Sequence, residues 1–303
     1  MEPLVSVICI TRNHERFCVE SLDSVLNQTY KNIQWIILDA ASTDSTVEVI
    51  DNWLIENGVK ALFLKEKELK SLTINLNIAL KFVNGNFLQL LSLDDILMPE
   101  KIERQINEFN LLDKSFVAIY TDASCVNENN EGVCESTIKW NRDFEKIPEG
   151  GVNLFEILCT GNFIPMMSLL IRMETFTRTG GFDERLSHED YDLHLRLTKR
   201  FKYKYLNYKS VSYRVHSNNL HRDVVHFTQL RDEVLIFFKH INTRIGRQRF
   251  LMKLRELLEK NNSEEDIKYI QVNAKIPLFL LKLFRFNNCT ILKIVQRINE
   301  WSK

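Results

Sequence analysis

The sequence predicts an α/β fold built on a doubly wound, mostly parallel sheet, with a helical extension at its carboxyl end. Short apolar runs alternate with segments of helical periodicity through the first hundred residues, a pattern typical of parallel βαβ units. The 303 residues are 45% hydrophobic, which is enough apolar material for one large domain or two small ones.

Four apolar runs predict the first strands of the sheet, at 5–10, 33–38, 59–64 and 87–91. Helical spacing of apolar residues separates them, with Ser45 and Glu48 in capping-box spacing at the start of the second helix and Gly85 closing the third. Because the carboxyl ends of parallel strands share one edge of a sheet, we expect Thr11, Asp39 and Asp94 to face one crevice.

The remainder of the chain predicts further strands and then helices. We expect strands at 116–121, 166–171, 203–206 and 211–215, and a hairpin or loop in the polar stretch 124–151. Beyond Ser217 the pattern is helical. The predicted organisation is therefore a catalytic domain at 1–216 and a helical region at 217–303.

Composition excludes several classes of protein. A formal net charge of zero argues against a nucleic-acid binder that relies on bulk positive charge. Six cysteines without paired spacing predict neither a disulfide framework nor a zinc site. No signal peptide and no apolar stretch of membrane-spanning length is visible, so we expect a cytoplasmic protein.

The pair Asp94–Asp95 ends an apolar run and precedes Pro99, which opens an amphipathic helix. Carboxylates at the end of a buried strand need a partner, and Mg²⁺ and Mn²⁺ favour carboxylate oxygens. The alternative is a turn in which one of the two aspartates caps the following helix. These residues alone leave both interpretations open.

Five motifs in sequence order resemble those of family 2 glycosyltransferases. They are 5–13 (VSVICITRN), 24–30 (SVLNQTY), 38–44 (LDAASTD), 91–95 (LSLDD), and 181–184 (GFDE) followed by 189–192 (EDYD). Each is weak by itself, whereas five in the family's order, spread between Val5 and His216, are specific. The resemblance implies a GT-A fold, a nucleoside diphosphate sugar as donor, a divalent metal, Mn²⁺ or Mg²⁺, and inversion at the anomeric carbon.

The resemblance also implies roles for individual residues. The nucleotide-binding set would be Thr11, Arg12, Asn13, Asp39, Asp94 and Arg214. The metal-binding set would be Asp94, Asp95 and His216. Asp190 would be the catalytic base, with Glu189 in support. Two of these residues also have a purely structural interpretation. Asp39 could be a negative charge that interacts favourably with the amino terminus of the next helix. Asp190 could belong to a capping box with Ser187 at the start of its helix.

The implied activity is transfer of a hexosyl or N-acetylhexosaminyl group, with UDP as the expected nucleotide, to a glycan or lipid-linked glycan. Ser92, Ala40 and Ala41 depart from the commoner family residues, which leaves the sugar open. A nucleotide-sugar-binding protein without transferase activity is the alternative. A sugar nucleotidyltransferase is disfavoured because the loop after the first strand, 11–14, has no glycine.

The carboxyl-terminal stretch 274–303 is basic and amphipathic. Six lysines and arginines stand against one acid, Glu300, among many apolar residues. Basic amphipathic helices bind anionic membrane surfaces, so this segment predicts peripheral binding to the inner face of the membrane. The alternatives are packing on the catalytic domain and a homodimer interface.

Overall fold

A computed structural model describes residues 2–216, 226–260 and 264–274. The chain divides into two compact units. The first comprises Met1–Glu184 and His188–Ser217, and the second comprises Arg185–Ser187 and Asn218–Lys303.

The first unit alternates strands and helices and then becomes irregular. Its elements in chain order are β1 (Val5–Thr11), α1 (Cys18–Leu26), β2 (Ile33–Asp39), α2 (Thr46–Glu56), β3 (Ala61–Lys65), α3 (Leu72–Leu80), β4 (Phe87–Ser92), β5 (Ile96–Leu97), α4 (Lys101–Leu111), β6 (Phe116–Val126), β7 (Gly132–Cys134), α5 (Thr137–Asn141), α6 (Val152–Leu158), a 3₁₀ turn (Met166–Ser168), β8 (Leu170–Arg172), α7 (Met173–Thr177), α8 (Asp190–Thr198) and β9 (Lys202–Arg214).

The strands of the described residues form one sheet in the order β3-β2-β1-β4-β8-β6-β9-β5, and β7 pairs with β6. Strands β1 to β4 are mutually parallel where they pair, as are β6 and β9. Strand β8 runs antiparallel to both β4 and β6, so those two strands point the same way. The α/β fold with a mostly parallel, doubly wound sheet is confirmed.

The core lies on both faces of the central strands. All of β1 except Ile10 is buried, as the continuous apolar runs of parallel strands require. Trp53 of α2 packs against this sheet and donates its indole N–H to Asp23 of α1 at 2.8 Å. Helices α1 and α2 are thereby fixed to each other beside the strands whose ends form the site.

Several local expectations need correction. Residues 166–171 form a 3₁₀ turn followed by the start of β8, and the two strands expected at 203–206 and 211–215 are one long strand, Lys202–Arg214. The side chain of Ser45 makes no capping hydrogen bond; Asp44 accepts from the Thr46 backbone N–H instead, at 3.0 Å. Gly85 lies beyond the end of α3, where a Cβ would meet the Ser6 backbone nitrogen at 2.6 Å.

The second unit is helical in its described residues, so the helical extension is present. Its helices are α9 (His226–Phe238), α10 (Arg244–Lys260) and α11 (Glu264–Ala274). Ser187 donates its backbone N–H to Asp232 of α9 at 2.7 Å, and Tyr269 of α11 donates its hydroxyl to the Arg185 carbonyl at 2.5 Å. Most of the predicted membrane-binding segment, 275–303, lies outside the described residues. No described helix has the length and apolar character that crossing a bilayer requires.

Candidate active site

The carboxyl ends of three parallel strands lie side by side. Thr11 at the end of β1 pairs with Asp39 at the end of β2, and Ile10 pairs with Ser92 at the end of β4. Strand β9 is parallel to β6 and therefore to β4, so its carboxyl end reaches the same edge of the sheet. The segments that follow these four strands carry the polar side chains of the site.

Three of those side chains converge on one point: His14, Asp94 and His216. Their ligating atoms lie within 4.8 Å of one another. The Nε2 atom of His216 is 3.0 Å from Asp94 Oδ2, and the Nε2 atom of His14 is 3.8 Å from the same oxygen. The other carboxylate oxygen of Asp94 is buried and has no hydrogen-bond partner among the described residues. A buried orphan oxygen beside two imidazoles fits a divalent cation.

The protonation states of the cluster suit the same ligand. Burial alone would raise the pKa of Asp94, but the hydrogen bond from His216 and the nearby His14 lower it, so the carboxyl is ionised. Burial lowers the pKa of His14 despite the attraction of Asp94. A neutral imidazole and an ionised carboxylate are the forms in which these side chains bind metals.

Asp95 does not join this cluster, contrary to its prediction as a metal ligand. Its Oδ1 atom accepts the backbone N–H of Arg214 at 2.9 Å, and its backbone carbonyl accepts from the Ser21 hydroxyl. Burial, and secondarily the charge of Asp94, raise the pKa of Asp95 well above its usual range. Of the two adjacent aspartates, one lines the cluster and the other fastens β4 to β9.

Arg214 is buried among protein groups, so we do not retain it as a nucleotide contact. Its Nε donates to the Asp94 carbonyl at 2.9 Å, and its Nη1 donates to Asn130 Oδ1 at 2.6 Å and to the Asn127 carbonyl at 3.2 Å. Its Nη2 donates to Glu20 at 2.7 Å. The guanidinium also lies over the Phe17 ring, 4.8 Å from the ring centroid. These contacts join β9, the β6–β7 hairpin and α1 behind the cluster.

The loops after β1 and β2 are tied together beside the cluster. The backbone N–H of Asn13 donates to Ser42 Oγ at 2.9 Å, and Asn13 Oδ1 accepts from the Thr43 backbone N–H at 2.8 Å. His14 donates its backbone N–H to Thr46 Oγ1 at 2.9 Å. Asn13 and Ala41 adopt φ angles of 56° and 59°, which non-glycine residues rarely adopt. The ties hold both loops in this conformation and place His14.

Asp39 lies at the bottom of these loops. It is 1% exposed, and its carboxylate accepts the backbone N–H of Ser42 at 2.9 Å as well as the Ser42 hydroxyl. Each carboxylate oxygen can accept a second hydrogen bond, so an acceptor remains for a ligand. Asp44, not Asp39, binds the first turn of α2. Nearby, Thr11 Oγ1 is buried and has no hydrogen-bond partner in the described part of the chain, and Arg12 is exposed.

Asp190 opens helix α8. Its Oδ1 accepts the Tyr191 backbone N–H and its Oδ2 accepts the Asn162 amide, both at 2.7 Å. The N-cap residue of α8 is Glu189, whose side chain makes no capping hydrogen bond, and Ser187 donates its backbone N–H and its hydroxyl to Asp232. Burial and the neighbouring Asp190 raise the pKa of Glu189 to about 8. At neutral pH Glu189 therefore holds its proton.

Asp190 is linked to the loop that precedes the 3₁₀ turn and β8. Gln89 of β4 donates to the Met167 carbonyl at 2.8 Å, which fixes the 3₁₀ turn beside β4. Since β8 runs antiparallel to β4, the 3₁₀ turn immediately before β8 lies toward the carboxyl end of β4. Asn162 then holds Asp190.

Comparison with known proteins identifies the family. The sequence pattern described as glycosyl transferase family 2 matches residues 6–168, more than half of the chain. The chain belongs to glycosyl transferase family 2.

Relatives and solved structures agree with this family membership. An uncharacterised glycosyltransferase of Rickettsia prowazekii is 33% identical over 192 residues, which is 63% of this chain and 57% of the relative. The chondroitin synthase of Pasteurella multocida is 29% identical over 269 residues, 88% of this chain but 26% of that enzyme. The chain thus spans little more than half the length of the Rickettsia relative and about a quarter of the synthase.

Among solved structures, S. aureus TarS in complex with UDP-GlcNAc superposes with a TM-score of 0.65 at 18% identity, covering 99% of this chain and 92% of that one. A mannosyltransferase of Pyrobaculum calidifontis, in complex with GDP-Man and Mn²⁺, superposes with a TM-score of 0.57 at 17% identity, covering 100% and 81%. These similarities confirm the GT-A fold.

The sequence did not reveal two residues of this candidate site, His14 and Asn162. His14 was missed because its partners lie 80 and 202 positions away and no local spacing marks it; its place three residues after a strand end was the available signal. Asn162 was missed because the loop before β8, 159–165 (CTGNFIP), carries no recognisable motif.

Proposed function

We propose that the chain is a metal-dependent inverting glycosyltransferase that moves a sugar from a nucleoside diphosphate sugar to a hydroxyl of a glycan or lipid-linked glycan. The observation that carries the proposal is the buried carboxylate of Asp94, at the edge where β1, β2 and β4 end. Two imidazoles lie beside its Oδ2, and its Oδ1 has no hydrogen-bond partner among the described residues. Ligands of open α/β sheets bind at this edge, and a metal there would meet a diphosphate.

The metal would be held by Asp94, His216 and His14. Two imidazoles in the ligand set favour Mn²⁺ over Mg²⁺, because Mg²⁺ prefers oxygen ligands alone. When bound, the ion would neutralise the charge that develops on the departing diphosphate. The Pyrobaculum structure with GDP-Man and Mn²⁺ supports a metal in this fold.

The donor would occupy the loops after β1 and β2. Asp39 is buried at the end of β2 and would accept the ring N–H of uracil; Thr11, Arg12 and Asn13 would line the same pocket. We propose UDP as the nucleotide and a hexosyl or N-acetylhexosaminyl group as the sugar. The TarS complex with UDP-GlcNAc and the resemblance to chondroitin synthase support this choice.

Asp190 would act as the base. Its carboxylate takes the proton of the acceptor hydroxyl while the hydroxyl oxygen attacks the anomeric carbon. The bond from that carbon to the diphosphate breaks on the opposite face, so one displacement inverts the configuration. A single base is sufficient, and protonated Glu189 beside it adds no second negative charge at neutral pH.

The decisive experiment compares Asp190→Asn with the unaltered chain. We expect the variant to lose transfer while it binds UDP and Mn²⁺ with unchanged affinity, measured by calorimetry. Asp143→Asn, at an exposed aspartate, is the matched control and should transfer normally. Turnover by Asp190→Asn would remove Asp190 from the role of base. The alternative is a nucleotide-sugar-binding protein without transferase activity. That alternative is favoured if the unaltered chain binds the donor, transfers sugar to none of the acceptors tested and does not slowly hydrolyse the donor.

We propose that the stretch 274–303 binds a membrane surface, where a lipid-linked acceptor would be located. Six basic residues against one acidic residue, interleaved with apolar residues, support contact with the anionic inner face of a membrane. We expect the full chain to float with anionic liposomes and a truncation after Asn273 to remain in the soluble fraction. Equal flotation of both proteins would contradict the membrane proposal and leave domain packing or a homodimer interface for this segment.

A further inference from the structure

The carboxylate of Asp190 is held on both oxygens before any substrate arrives. The Tyr191 backbone N–H occupies Oδ1, and the Asn162 side-chain amide occupies Oδ2, each at 2.7 Å. The first contact comes from the residue next in sequence. The second comes from a loop 28 positions away, so it depends on the tertiary fold.

The orientation of the Asn162 amide is itself determined. Its Oδ1 accepts the Ile164 backbone N–H at 3.2 Å. A carbonyl oxygen can accept that bond whereas an amide nitrogen cannot. The Nδ2 group must therefore face Asp190, where it donates to the charged form of the carboxyl.

The loop that carries Asn162 is fastened to α8 at further points. The Ile164 carbonyl lies 3.3 Å from Nε2 of His194, one turn along the helix from Asp190. The Tyr191 hydroxyl donates to the Leu158 carbonyl at 2.7 Å. Phe163 is buried with its ring 4.7 Å from that of Phe144. The loop is thus a preformed support for the first turn of α8.

We infer that Asn162 is a positioning residue for Asp190: its amide fixes the rotamer of the carboxylate and stabilises the ionised form that accepts the acceptor's proton. This inference rests on the proposed function. A hydrogen bond to the charged form lowers the pKa of a carboxyl, and a misplacement of about 1 Å at a reacting group lowers a rate by roughly 100-fold.

Other titratable groups lie near Asp190 and bear on how a pH–rate profile is interpreted. Glu189 has a pKa raised to about 8 by burial and by Asp190, and His194 has a pKa lowered to about 4 by burial. On the loop side, Arg142 binds Thr160. Neither Glu189 nor His194 changes charge between about pH 5 and 7. Because all these groups are the same in wild type and variant, a difference between the acid limbs of the two rate profiles reports the loss of the Asn162 hydrogen bond.

The test measures transfer by Asn162→Ala against pH. We expect kcat to fall by about 10- to 100-fold and the acid limb of kcat/KM to move upward by about one pH unit. The affinity for UDP and Mn²⁺ should stay unchanged, because Asn162 does not touch the cluster. Asn141→Ala is the matched control: it removes an amide of the same size whose only described bond is to the Thr137 carbonyl, and it should leave kcat and the pH profile unaltered.

Asn162→Asp serves as a second variant that keeps the shape of the side chain. Two carboxylates at hydrogen-bond distance cannot both ionise at neutral pH, so they would share a proton and the base would be lost. We expect at least a tenfold loss of kcat with an unchanged thermal midpoint. If Asn162→Ala does not fold, this variant decides.

A wild-type acid limb in Asn162→Ala, or transfer by Asn162→Asp within twofold of wild type, would overturn the inference. The two proposals can fail separately. If Asp190→Asn is inactive but both Asn162 variants behave as wild type, the positioning role of Asn162 is refuted and the proposed function stands. If Asp190→Asn remains active, the role of Asp190 as base is refuted.

Discussion

Substitution of the buried Arg214 distinguishes a role in nucleotide binding from a role in stabilising the fold. The sequence suggested a contact with the diphosphate, whereas the structure places the guanidinium among four acceptors: the Asp94 carbonyl, the Asn127 carbonyl, Asn130 Oδ1 and Glu20. The Arg214 side chain is 1% exposed. Replacing it with alanine would leave at least the Asp94 carbonyl buried without this donor.

The magnitude follows from these contacts. A buried acceptor that loses its donor destabilises a protein by about 1–3 kcal/mol, and breaking a buried ion pair does so by about 3–5 kcal/mol. The Glu20 side chain is 45% exposed and regains water, so we discount the ion pair. We therefore expect Arg214→Ala to lower the free energy of unfolding by about 2–4 kcal/mol, a fall in thermal midpoint of roughly 5–10 °C.

Thermal unfolding and UDP–Mn²⁺ calorimetry check the prediction together. Arg16→Ala is the control, because Arg16 also binds the β6–β7 hairpin, through Glu128 at 2.9 Å, but its side chain is 61% exposed. That exposed pair contributes at most about 1 kcal/mol. Arg214→Lys should resemble Arg214→Ala, since an ammonium cannot reproduce the guanidinium fork. Loss of nucleotide binding at an unchanged thermal midpoint would refute the structural role.

Three further predictions concern the cluster, the base and the GFDE motif. Asp94→Asn removes the carboxylate of the His14–Asp94–His216 cluster, so Mn²⁺ affinity measured by calorimetry should fall by about 100-fold or more; unchanged affinity would move the metal elsewhere. Glu189 has a pKa raised from 4.5 to about 8, so the folded state holds a proton that the unfolded chain releases, and stability should decline as pH rises between these values. Glu189→Gln should flatten that decline in urea titrations, and an unchanged slope would contradict the raised pKa. Gly181 has a φ of +73° and faces Asn77 Oδ1, which a Cβ would meet at 3.0 Å; Gly181→Ala should therefore destabilise the fold by about 1–3 kcal/mol, and a wild-type thermal midpoint would show that the turn is not strained.

The sheet was predictable because its central strands are buried on both faces. β1, β2 and β4 are short, continuous apolar runs, a pattern that indicates buried strands. Their parallel arrangement follows from the helices between them. Strand β9 was predicted as two pieces because polar residues interrupt its pattern around Asn207. The structure shows that its pairing with β6 is irregular there, with register shifts at Asp122, which periodicity cannot anticipate.

The site was predictable only where a motif marked it. Asp94 and Asp190 follow family patterns, whereas His14 becomes informative once the fold brings it to within 3.8 Å of Asp94. For Arg214, in contrast, the sequence predicted a ligand contact that the structure does not support. An arginine two residues before a histidine suggests a ligand contact. Only the tertiary structure reveals that protein carbonyls and a carboxylate already accept hydrogen bonds from its guanidinium.

The adjacent aspartates illustrate why a motif can carry two different physical roles. Asp95 accepts the backbone N–H of Arg214, and the Nε of Arg214 donates to the carbonyl of Asp94. These reciprocal bonds join the residues after β4 to the end of β9 across about 120 positions of sequence, so the two segments form one rigid unit. Asp94 and His216 both project from that unit, and their 3.0 Å separation is fixed by it. The second aspartate therefore contributes to the cluster without binding in it: it sets the distance between the first aspartate and the histidine that the strand β9 delivers.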